Sequence, residues 1–446
     1  MSSYEDFFKG RKITLLGLGL LGRGVGDAEF LAPLVKELIV TDKKSKEELT
    51  PSLERLQEFS NITYTLGDHK LEDFRDVDLV IKSAGVPLDS PYIAEAKKYN
   101  IPVRMSADLL VELAGVKSVG ITGTRGKSTV THLISHALKQ AGRHVLLGGN
   151  VHGVSNLALL SEVRPDSILV LELDSWQLQG FGEAKTSPNI AVFTNLMPDH
   201  LNYYKGDMDA YFTDKANIFK FQKPGDVLIV GASVAERIRA SAPPLDPITP
   251  ELEPRTWKLR ILGEHNRENA ALATAALAAL EISEVDIKAG LESFEGVEGR
   301  LQLVREVNGI KIYNDNSATT PDATIAALRA VGSPVKKNVV LIIGGDDKKL
   351  NMSNLVKEIP KWCSKVVMLK EMGTDQIRDA IFAFEPDVRV YEEESLKATV
   401  ERAFSISEPS ETILYSPAFS SFGKHFKNEF DRNDKFLALV KELEPA

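Results

Sequence analysis

The sequence predicts an α/β fold arranged as three domains, and three observations support this prediction. The chain has 446 residues, which corresponds to about three domains of roughly 150 residues each. Short apolar runs alternate along it with helical patterns, which is typical of a parallel sheet with covering helices. Two of these runs end in Gly-rich turns, at 17–22 and 120–126, as expected where strands of an open α/β sheet meet a ligand.

The composition is that of a soluble globular protein, with 43% hydrophobic and 26% charged residues. A net charge of −9 disfavours a polyanionic partner, so we expect no nucleic acid to bind. No apolar run reaches the length of about 18 residues that a membrane span needs. The first residues, MSSYEDFFKGRK, lack the apolar core of a signal peptide. We therefore expect a cytoplasmic protein without membrane insertion.

The chain contains a single cysteine, Cys363. One cysteine excludes an intrachain disulfide and a zinc site built from cysteines. Its apolar surroundings in the sequence indicate core packing rather than a nucleophile.

Residues 1–115 form the first predicted domain, which we expect to be Rossmann-like. Gly17, Gly19 and Gly22 form a G-x-G-x-x-G pattern after the first strand, and Asp42 ends the next strand. By spacing alone this is a dinucleotide fingerprint, so an NAD(P)-dependent oxidoreductase is one candidate function. The turn suits any diphosphate, because backbone N–H groups make the contacts. The predicted strands are 12–16, 37–41 and 77–83.

Residues 116–298 form the second predicted domain, which we expect to be of the P-loop ATPase type. Strands are predicted at 167–172 and 189–194, and helices at 130–141 and 266–281. The carboxyl ends of such strands are where α/β sheets place the groups that bind ligands.

A phosphate-binding loop is the most informative motif of this domain. Residues 119–129 read Val-Gly-Ile-Thr-Gly-Thr-Arg-Gly-Lys-Ser-Thr, between an apolar strand and a helical pattern. Gly123 and Gly126 let backbone N–H groups turn toward a polyphosphate, Lys127 supplies a positive charge, and the Ser128 hydroxyl is a ligand for Mg²⁺. The loop is shorter than the general pattern, because two rather than four residues separate Gly123 from the Gly-Lys pair.

Three further residues of this domain are candidates for chemistry. Glu172 closes a strand, where a carboxylate beside a phosphate loop is the usual second Mg²⁺ anchor. The alternatives are a satisfied strand-end acid and Asp174, two residues on, in the same role. His200 follows a strand and a Pro-containing turn, and a neutral imidazole there binds a metal or positions a substrate unless it is simply exposed. Lys215 is expected at the start of a helix, where its ordinary role is that of a solvated surface lysine.

Two asparagines indicate a nucleotide site near the end of this domain. Asn266 and Asn269 stand at i and i+3 on one helical face, directly after His265. Such residues favour contact with a base and phosphates, whereas a helix cap is the alternative for an asparagine at a helix start.

Residues 299–446 form the third predicted domain, an open α/β sheet that we again expect to be Rossmann-like. Each predicted strand is followed by a loop of Gly, Asp, Ser or Pro, with helical patterns between the strands. The predicted strands are 309–313, 337–343, 365–369 and 411–415.

Taken in order, the motifs resemble those of the ATP-dependent Mur ligases, over the whole chain and all three domains. The first domain and the C-terminal motifs are most similar to the branch that adds D-glutamate. The markers are Thr-Gly-Thr-Arg-Gly-Lys-Ser-Thr, Gly-Gly-Asn150, Leu-Glu172-Leu-Asp-Ser-Trp-Gln-Leu, Asp199-His200, Lys215-Ala, His265-Asn266-x-x-Asn269, Asn314-Asp315, Gly344-Gly345-Asp-Asp-Lys348 and Ser416-Pro417-Ala418.

This resemblance implies an ATP-dependent ligase that joins D-glutamate to UDP-N-acetylmuramoyl-L-alanine through an acyl phosphate, in the synthesis of peptidoglycan precursors. It also implies a monomer that uses two Mg²⁺ ions and a Lys215 carbamylated by CO₂. The residues that it marks as catalytic are Lys127, Glu172, His200 and Lys215.

The resemblance further implies which residues bind each ligand. For ATP they are Gly123, Thr124, Arg125, Gly126, Lys127, Ser128, Thr129, Asn266, Asn269, Arg300 and Asp315. For the UDP-sugar they are Gly19, Leu20, Leu21, Asp42, Ser83, Gly85, Asn150 and His200. For D-glutamate they are Thr319, Lys348, Ser421 and Phe422. For the metal ions they are Ser128, Glu172, His200 and Lys215.

Four departures from the family pattern accompany the resemblance. Arg125 occupies the centre of the phosphate loop, where Asn is common. Gly299 precedes Arg300 where His is usual, and Ser317 replaces a lysine. The loop after Phe422 is one residue longer, which bears on the assignment of that residue.

Other functions remain open from the sequence. Within the ligases, one alternative is an enzyme that adds another amino acid. A second alternative is an enzyme that acts on a folate, although the UDP-type first domain disfavours folate. Outside them stand the NAD(P)-dependent oxidoreductase and a catalytically inactive P-loop protein with a regulatory role. The intact set of Lys127, Glu172, His200 and Lys215 favours an enzyme over the last of these.

Overall fold

The computed structural model describes most of the chain and shows an α/β fold with three sheets. This confirms the predicted fold class. The described residues are 3–20, 22–200, 202–241, 246–252 and 256–444.

The chain divides into two compact units. The first comprises Met1–Glu253 and Asn269–Leu291, and the second comprises Pro254–Glu268 and Glu292–Ala446. The first two sheets belong to the first unit and the third sheet to the second unit. The three domain ranges stay a prediction.

The first sheet is Rossmann-like and parallel. Its strands are β1 (Lys12–Leu16), β2 (Glu37–Asp42), β3 (Ile62–Leu66), β4 (Leu79–Lys82) and β5 (Val103–Arg104). Its helices are α1 (Tyr4–Phe8), α2 (Arg23–Leu31), α3 (Thr50–Leu56), α4 (Pro91–Lys98) and α5 (Ser106–Ala114), with a 3₁₀ turn at Leu71–Phe74. The strand order β3-β2-β1-β4-β5 reverses between β1 and β4. The carboxyl ends of these two strands are therefore the expected ligand crevice.

The central sheet is also parallel, in the order β10-β9-β6-β8-β7. Its strands are β6 (Lys117–Thr122), β7 (Val145–Gly149), β8 (Ile168–Glu172), β9 (Ile190–Phe193) and β10 (Val227–Val230). The helices that accompany it in the chain are α6 (Lys127–Gln140), α7 (Ser175–Ala184), α8 (Met208–Ala216), α9 (Ala235–Ser241), α10 (Glu264–Ala279) and α11 (Glu284–Ser293), with a 3₁₀ turn at Ala158–Glu162. Because β6 lies between β9 and β8, the loop that follows β6 is flanked by the ends of both neighbours.

The third sheet has six strands, and its edge strand is antiparallel. Its strands are β11 (Gln302–Val307), β12 (Ile310–Asn314), β13 (Val339–Ile343), β14 (Cys363–Leu369), β15 (Arg389–Glu393) and β16 (Thr412–Tyr415), in the order β11-β12-β16-β13-β14-β15. Its helices are α12 (Pro321–Val331), α13 (Ser353–Trp362), α14 (Met372–Asp375), α15 (Arg378–Phe382), α16 (Leu396–Ile406) and α17 (Glu429–Glu442).

The predicted strands all occur, within two residues at each end, and most of them are buried on both faces. Strands β6, β8, β9 and β13 are buried over almost every residue, so they appear in the sequence as continuous apolar runs. Strands β3, β5, β7, β10, β11 and β15 were not predicted. Of these, β3 and β11 are half exposed and β5 has two residues, so these three lack a continuous apolar signal. Strand β10 is a short apolar run and β7 ends in two glycines.

Cys363 is fully buried at the start of β14, which confirms its predicted role in packing. Burial raises the pKa of its thiol, so the thiol is unreactive. Among the described residues, no helix is both long and apolar enough to cross a membrane.

A buried carboxylate joins the first and central sheets within the first unit. Asp27 on α2 accepts hydrogen bonds from Ser155 Oγ at 2.6 Å and from the N–H of Leu157 at 3.2 Å, both through Oδ1. Ser106 also bonds to this carboxylate. Burial raises the pKa of Asp27 to about 6, although these hydrogen bonds and the charge of Arg23 oppose the rise.

We expect Asp27→Asn to stabilise the protein at pH 8. The raised pKa means that the folded state binds the proton more tightly than the unfolded state, so this group's contribution is present at low pH and is lost as pH rises from about 4 to about 6. Asparagine keeps Oδ1 and removes the buried charge. The difference in unfolding free energy between variant and wild type should grow by up to about 3 kcal/mol from pH 4 to pH 8.

Denaturant unfolding at both pH values measures this difference. Asp27→Ala is the matched control, because it removes the charge together with the hydrogen bonds to the carboxylate and should destabilise. The prediction would be contradicted if the unfolding free energies of Asp27→Asn and wild type differed by the same amount at pH 4 and pH 8.

Candidate functional site

The phosphate loop occupies the four residues between β6 and α6. Gly123 and Gly126 have φ values of 141° and 84°, which side chains rarely tolerate. A Cβ at Gly123 would lie 1.9 Å from Thr194 Oγ1, and one at Gly126 would lie 2.4 Å from Asn269 Oδ1. Glycine is therefore required at both positions, and the loop opens onto the N-terminus of α6, where backbone N–H groups favour an anion.

Helix α6 begins three residues before its predicted start. Lys127, Ser128 and Thr129 consequently form its first turn, which places the lysine and both hydroxyl residues directly after the loop. Ser128 is buried. The predicted helix starts too late because polar residues occupy this first turn.

Arg125 lies at the centre of the loop and is held by the segment that follows β9. Its N–H donates to Asn195 Oδ1 at 2.9 Å, and its carbonyl accepts from Thr194 Oγ1 at 2.5 Å. The Arg125 guanidinium pairs with Asp199 at 3.4 Å. The N–H of Thr124 donates to the Asn195 carbonyl at 3.0 Å. The unusual arginine thus has a partner, and the loop is held in shape by protein contacts.

Sequence reasoning missed this supporting role of Thr194 and Asn195. The available signal was their position: polar residues directly after a buried strand that neighbours the strand leading into the loop. Strands β6 and β9 pair in parallel with Thr122 opposite Phe193, so the residues after them meet.

Two lysines converge on one carbonyl of the loop. Lys127 Nζ donates to the carbonyls of Gly123 at 3.0 Å and Thr124 at 3.1 Å. Lys215 Nζ donates to the same Gly123 carbonyl at 2.9 Å and lies 4.7 Å from the centre of the Tyr211 ring. The two lysines are far apart in the sequence, and the fold brings them together.

The prediction that Lys215 starts a helix is wrong. Helix α8 starts at Met208, and Lys215 lies in its last turn. The start is fixed by Asp207, whose carboxylate accepts from the N–H groups of Asp209 and Ala210 at 2.8 and 2.9 Å. This cap places Lys215 two turns along the helix, on its buried face.

The ammonium form of Lys215 is disfavoured. The side chain is 1% exposed, and burial lowers its pKa well below the usual range of lysine. The nearby charge of Lys127 lowers the pKa further, while Asp174, Asp199 and Asp214 oppose the shift. The neutral amine is nucleophilic, which a solvated surface lysine at neutral pH is not.

Glu172 ends β8 beside the phosphate loop. It pairs in register with Ile121, two residues before Gly123, and it is buried. The N–H of Asn150 donates to the Glu172 carbonyl at 2.6 Å. The ends of β7 and β8 therefore lie together, with Asn150 and Glu172 side by side.

The His200 ring lies near two aromatic rings. Its ring centre is 4.7 Å from that of Trp176 and 6.2 Å from that of Tyr211. The residue is nevertheless exposed to solvent. Partial desolvation by its neighbours and the charge of Lys127 lower the pKa of His200, while Asp199 and Asp174 oppose the shift. A lowered pKa favours the neutral imidazole, which is the form that binds a metal or accepts a proton.

The residues predicted to bind metal provide two ordinary ligands, Glu172 and His200. Throughout the described parts of the chain, no group of three or more His, Cys, Asp or Glu side chains is arranged to hold a metal ion. The predicted set also contains the Ser128 hydroxyl and Lys215, whose amine becomes an anionic oxygen ligand only on carbamylation.

The Gly-rich turn after β1 meets the loop after β4. A Cβ at Gly17 would lie 2.4 Å from Ser83 Oγ, so the two loops are in contact. Asp42 accepts from the N–H of Gly19 at 2.9 Å through Oδ2 and from that of Lys44 at 2.9 Å through Oδ1. The carboxylate thus closes the turn from the end of β2.

Two other residues predicted for the UDP-sugar lie on these loops. Leu20 is exposed on the turn, and Gly85 lies in the loop after β4. Leu21 lies outside the described residues.

In the second unit, Asp315 follows β12 in a buried setting. Its Oδ1 accepts from the N–H of Leu301 at 3.0 Å, and its Oδ2 accepts from Ser416 Oγ at 2.8 Å. Burial raises the pKa of Asp315 to about 7, although both hydrogen bonds and the charge of Arg300 oppose the rise.

The residues predicted for D-glutamate follow three neighbouring strands of the third sheet. Lys348 Nζ donates to Thr319 Oγ1 at 3.0 Å, which joins the loops after β13 and β12. Ser421 is buried after β16, whereas Phe422 is 66% exposed. Ser317, the departure from the family lysine, donates to Glu429 at 2.7 Å.

The two predicted asparagines of α10 belong to different units. Asn266 lies in the second unit, where its Nδ2 donates to the Leu262 carbonyl at 2.8 Å. Asn269 lies in the first unit against Gly126 of the phosphate loop. The structure therefore places Asn269 at this loop.

Comparison with known proteins matches nearly the whole chain. Residues 11–105 match the Mur ligase MurD-like N-terminal domain, residues 121–244 the Mur ligase middle domain, and residues 299–419 the Mur ligase glutamate ligase domain. The UDP-N-acetylmuramoylalanine--D-glutamate ligase of Roseiflexus sp. strain RS-1 is 33% identical, over 97% of this chain and 99% of that protein. The enzyme of the same name from Borreliella burgdorferi is 32% identical, over 98% and 99%.

Solved structures share the fold. The UDP-N-acetylmuramate-alanine ligase MurC of Thermotoga maritima has a TM-score of 0.62 at 21% identity, over 97% of this chain and 99% of that one. The folylpolyglutamate synthase of Mycobacterium tuberculosis, solved with ADP, has a TM-score of 0.56 at 16% identity, over 76% of this chain and 95% of that one.

These matches define the class of the protein, which is that of the ATP-dependent amide ligases. The chain belongs to the Mur ligase family. The Gly-rich turn of the first sheet thus belongs to a ligase, and the oxidoreductase interpretation is set aside.

Proposed function

We propose that this protein joins D-glutamate to UDP-N-acetylmuramoyl-L-alanine at the expense of ATP, in the synthesis of peptidoglycan precursors. The observation that carries the proposal is the buried Lys215, whose amine bonds to the Gly123 carbonyl of the phosphate loop. This contact links a lysine with a strongly lowered pKa to a phosphate site. The relatives that cover the full chain bear the name of this reaction.

The reaction proceeds in two chemical steps. A carboxylate oxygen of the alanyl group attacks the γ-phosphorus of ATP, and the bond from that phosphorus to the bridging oxygen of ADP breaks, which forms an acyl phosphate. The amine of D-glutamate then adds to the acyl carbon. The tetrahedral intermediate expels phosphate, the nitrogen loses its proton to solvent, and an amide remains.

The first step depends on positioning and charge. The loop N–H groups and Lys127 hold the β- and γ-phosphates, so that negative charge on the transferred group is stabilised as it develops. Neutral His200 orients the acceptor carboxylate. The other residues proposed to bind ATP are Gly123, Thr124, Arg125, Gly126, Ser128, Thr129, Asn266, Asn269, Arg300 and Asp315.

Lys215 is proposed to react with CO₂. Its neutral amine forms an N–C bond to carbon dioxide and releases a proton, which leaves a carbamate anion. Ser128, Glu172, His200 and this carbamate are the groups that would hold Mg²⁺, and the oxygen donors among them fit that ion. Bound Mg²⁺ would neutralise phosphate charge.

The two other substrates are proposed to bind at the strand ends of the first and third sheets. The UDP-sugar is proposed to contact Gly19, Leu20, Leu21, Asp42, Ser83 and Gly85, with Asn150 and His200 toward its acyl end. D-glutamate contacts Thr319, Lys348, Ser421 and Phe422, and Lys348 pairs with a carboxylate. The enzyme is proposed to act as a cytoplasmic monomer.

An acceptor assay tests the identity of the amino acid. We expect D-glutamate to give the fastest phosphate release among D-glutamate, L-glutamate, L-lysine and meso-diaminopimelate, with ATP and UDP-N-acetylmuramoyl-L-alanine supplied. The reason is the positive charge of Lys348 beside Thr319, which attracts a side-chain carboxylate and repels a side-chain ammonium.

Omission of the sugar nucleotide is the control and should reduce phosphate release to background. Preference for another acceptor would remove D-glutamate from the proposal and leave the ligase class intact. No phosphate release with any acceptor would contradict the proposed activity itself.

A further inference from the structure

One hydrogen bond connects the nucleotide-type turn of the first sheet to the edge of the central sheet. Arg23 is the first residue of α2, directly after Gly22 of the Gly-rich turn. Its Nη1 donates to Asn150 Oδ1 at 2.6 Å. The N–H of Asn150 donates in turn to the carbonyl of Glu172 at 2.6 Å. Arg23 and Asn150, which are 127 positions apart in the chain, are thereby in contact beside the proposed acyl end of the UDP-sugar.

This bond determines which way the Asn150 amide faces. A guanidinium has five donors and no acceptor, so the oxygen of the amide must point to Arg23. The nitrogen, Nδ2, is therefore on the opposite side. No described residue accepts a hydrogen bond from Nδ2, whereas Oδ1 and the backbone N–H both have protein partners. The Nδ2 group is left to donate to an acceptor oxygen of a ligand.

Arg23 is held in place independently of Asn150. One turn further along α2, Asp27 bonds to Ser155 Oγ and to the N–H of Leu157. A Cβ at Gly26 would lie 2.7 Å from Ser155 Cβ, so this helix lies close against the segment that follows Asn150. The backbone of Arg23 is consequently anchored by contacts that do not involve its own side chain.

We propose that Arg23 is a positioning residue of the sugar-nucleotide site, which orients the Asn150 amide so that its Nδ2 donates to an oxygen of the substrate. The proposal rests on the proposed function, since it assumes that the sugar nucleotide lies beside Asn150. The chemistry recognised is an acceptor-only oxygen, that of an acyl carbonyl, a carboxylate or a phosphate. Arg23 acts through Asn150 and does not touch the reacting atoms.

A double-mutant cycle tests this role. Arg23→Met should raise the KM for UDP-N-acetylmuramoyl-L-alanine roughly fivefold to tenfold, the usual effect of one misaligned hydrogen bond, with the KM for ATP unchanged. In an Asn150→Ala background, the same substitution should add little further change, because its target is gone. Full additivity of the two changes, or an unchanged KM in Arg23→Met, would overturn the proposal.

Two further variants separate orientation from charge and from folding. Arg23→Lys retains a group that only donates, so it should keep the KM within about twofold of wild type. Asn150→Asp keeps an acceptor for Arg23 but lacks the NH₂ group, so it should match Asn150→Ala, and a normal KM in that variant would overturn the proposal. Arg143→Met, at an exposed arginine, is the control and should behave as wild type.

The wild-type enzyme in the same assay distinguishes failure of the proposed function from failure of the proposed role of Arg23. If wild type releases no phosphate with the sugar nucleotide and D-glutamate, the proposed function fails. If wild type is active and Arg23→Met has the wild-type KM, the proposed function stands and the role of Arg23 fails.

Discussion

Lys215→Ala is expected to abolish ligase activity, with a loss of roughly 10³-fold or more. The side chain is buried, its amine bonds to the Gly123 carbonyl, and its pKa is strongly lowered by burial and by Lys127. Under the proposed carbamylation this amine becomes an anion that would hold a metal ion together with Glu172 and His200. Removal would leave the phosphate site without that charge, and phosphate release from ATP in the presence of both other substrates measures the loss.

Chemical rescue makes this prediction specific. Short carboxylic acids such as acetate or propionate should restore part of the activity of Lys215→Ala, because they place a carboxylate in the space that the carbamate would occupy. Lys220→Ala is the matched control, since Lys220 is an exposed lysine that follows the same helix, and it should retain full activity. Full activity of Lys215→Ala without any added acid would exclude the carbamate. Thermal unfolding of the variant establishes that it is folded.

Lys127→Met is expected to lower kcat/KM for ATP by roughly 10²–10³-fold, the usual cost of removing one preorganised group that stabilises transition-state charge. Lys127 is the first residue of α6, and its Nζ donates hydrogen bonds to the carbonyls of Gly123 and Thr124. Methionine preserves the length of the side chain and removes the charge. Steady-state kinetics with varied ATP measures the effect, and the KM for the sugar nucleotide should change little.

The same helix offers a control for Lys127→Met. Lys139 lies in the last turn of α6 and is exposed, so Lys139→Met should leave all kinetic constants unchanged. Removing the charge of Lys127 should also raise the pKa of Lys215, because that charge lowers it. An unchanged kcat/KM for ATP in Lys127→Met would mean that this loop does not hold the phosphates.

The parts of the fold that the sequence predicted are those with strong local signals. Strands buried on both faces appear as apolar runs, and Gly-rich turns mark their ends. The antiparallel edge strand β11 and the half-exposed β3 have no such pattern. The position of Lys215 within α8 was missed for a similar reason, since the cap at Asp207 lies in a polar stretch with little apolar periodicity.

The candidate site also has residues that the sequence predicted and contacts that it did not. The loop glycines, Lys127 and Glu172 were predicted because strand, loop and helix follow one another along the chain. The pairing of Arg125 with Asp199 and the placement of Asn150 beside Arg23 join residues far apart in the chain. Neither contact leaves a periodic trace in a single sequence.

By itself, the sequence determined that this is an α/β protein with a phosphate loop and, through the order of its motifs, a resemblance to the Mur ligases. Local backbone chemistry is sufficient for that, since glycines, caps and apolar runs act on near neighbours. The tertiary structure decided which distant groups share an environment. Parallel strand order brings Lys127 and Lys215 to one carbonyl, and the burial that results lowers the pKa of Lys215. That property depends on desolvation by the whole fold and is absent from any short segment.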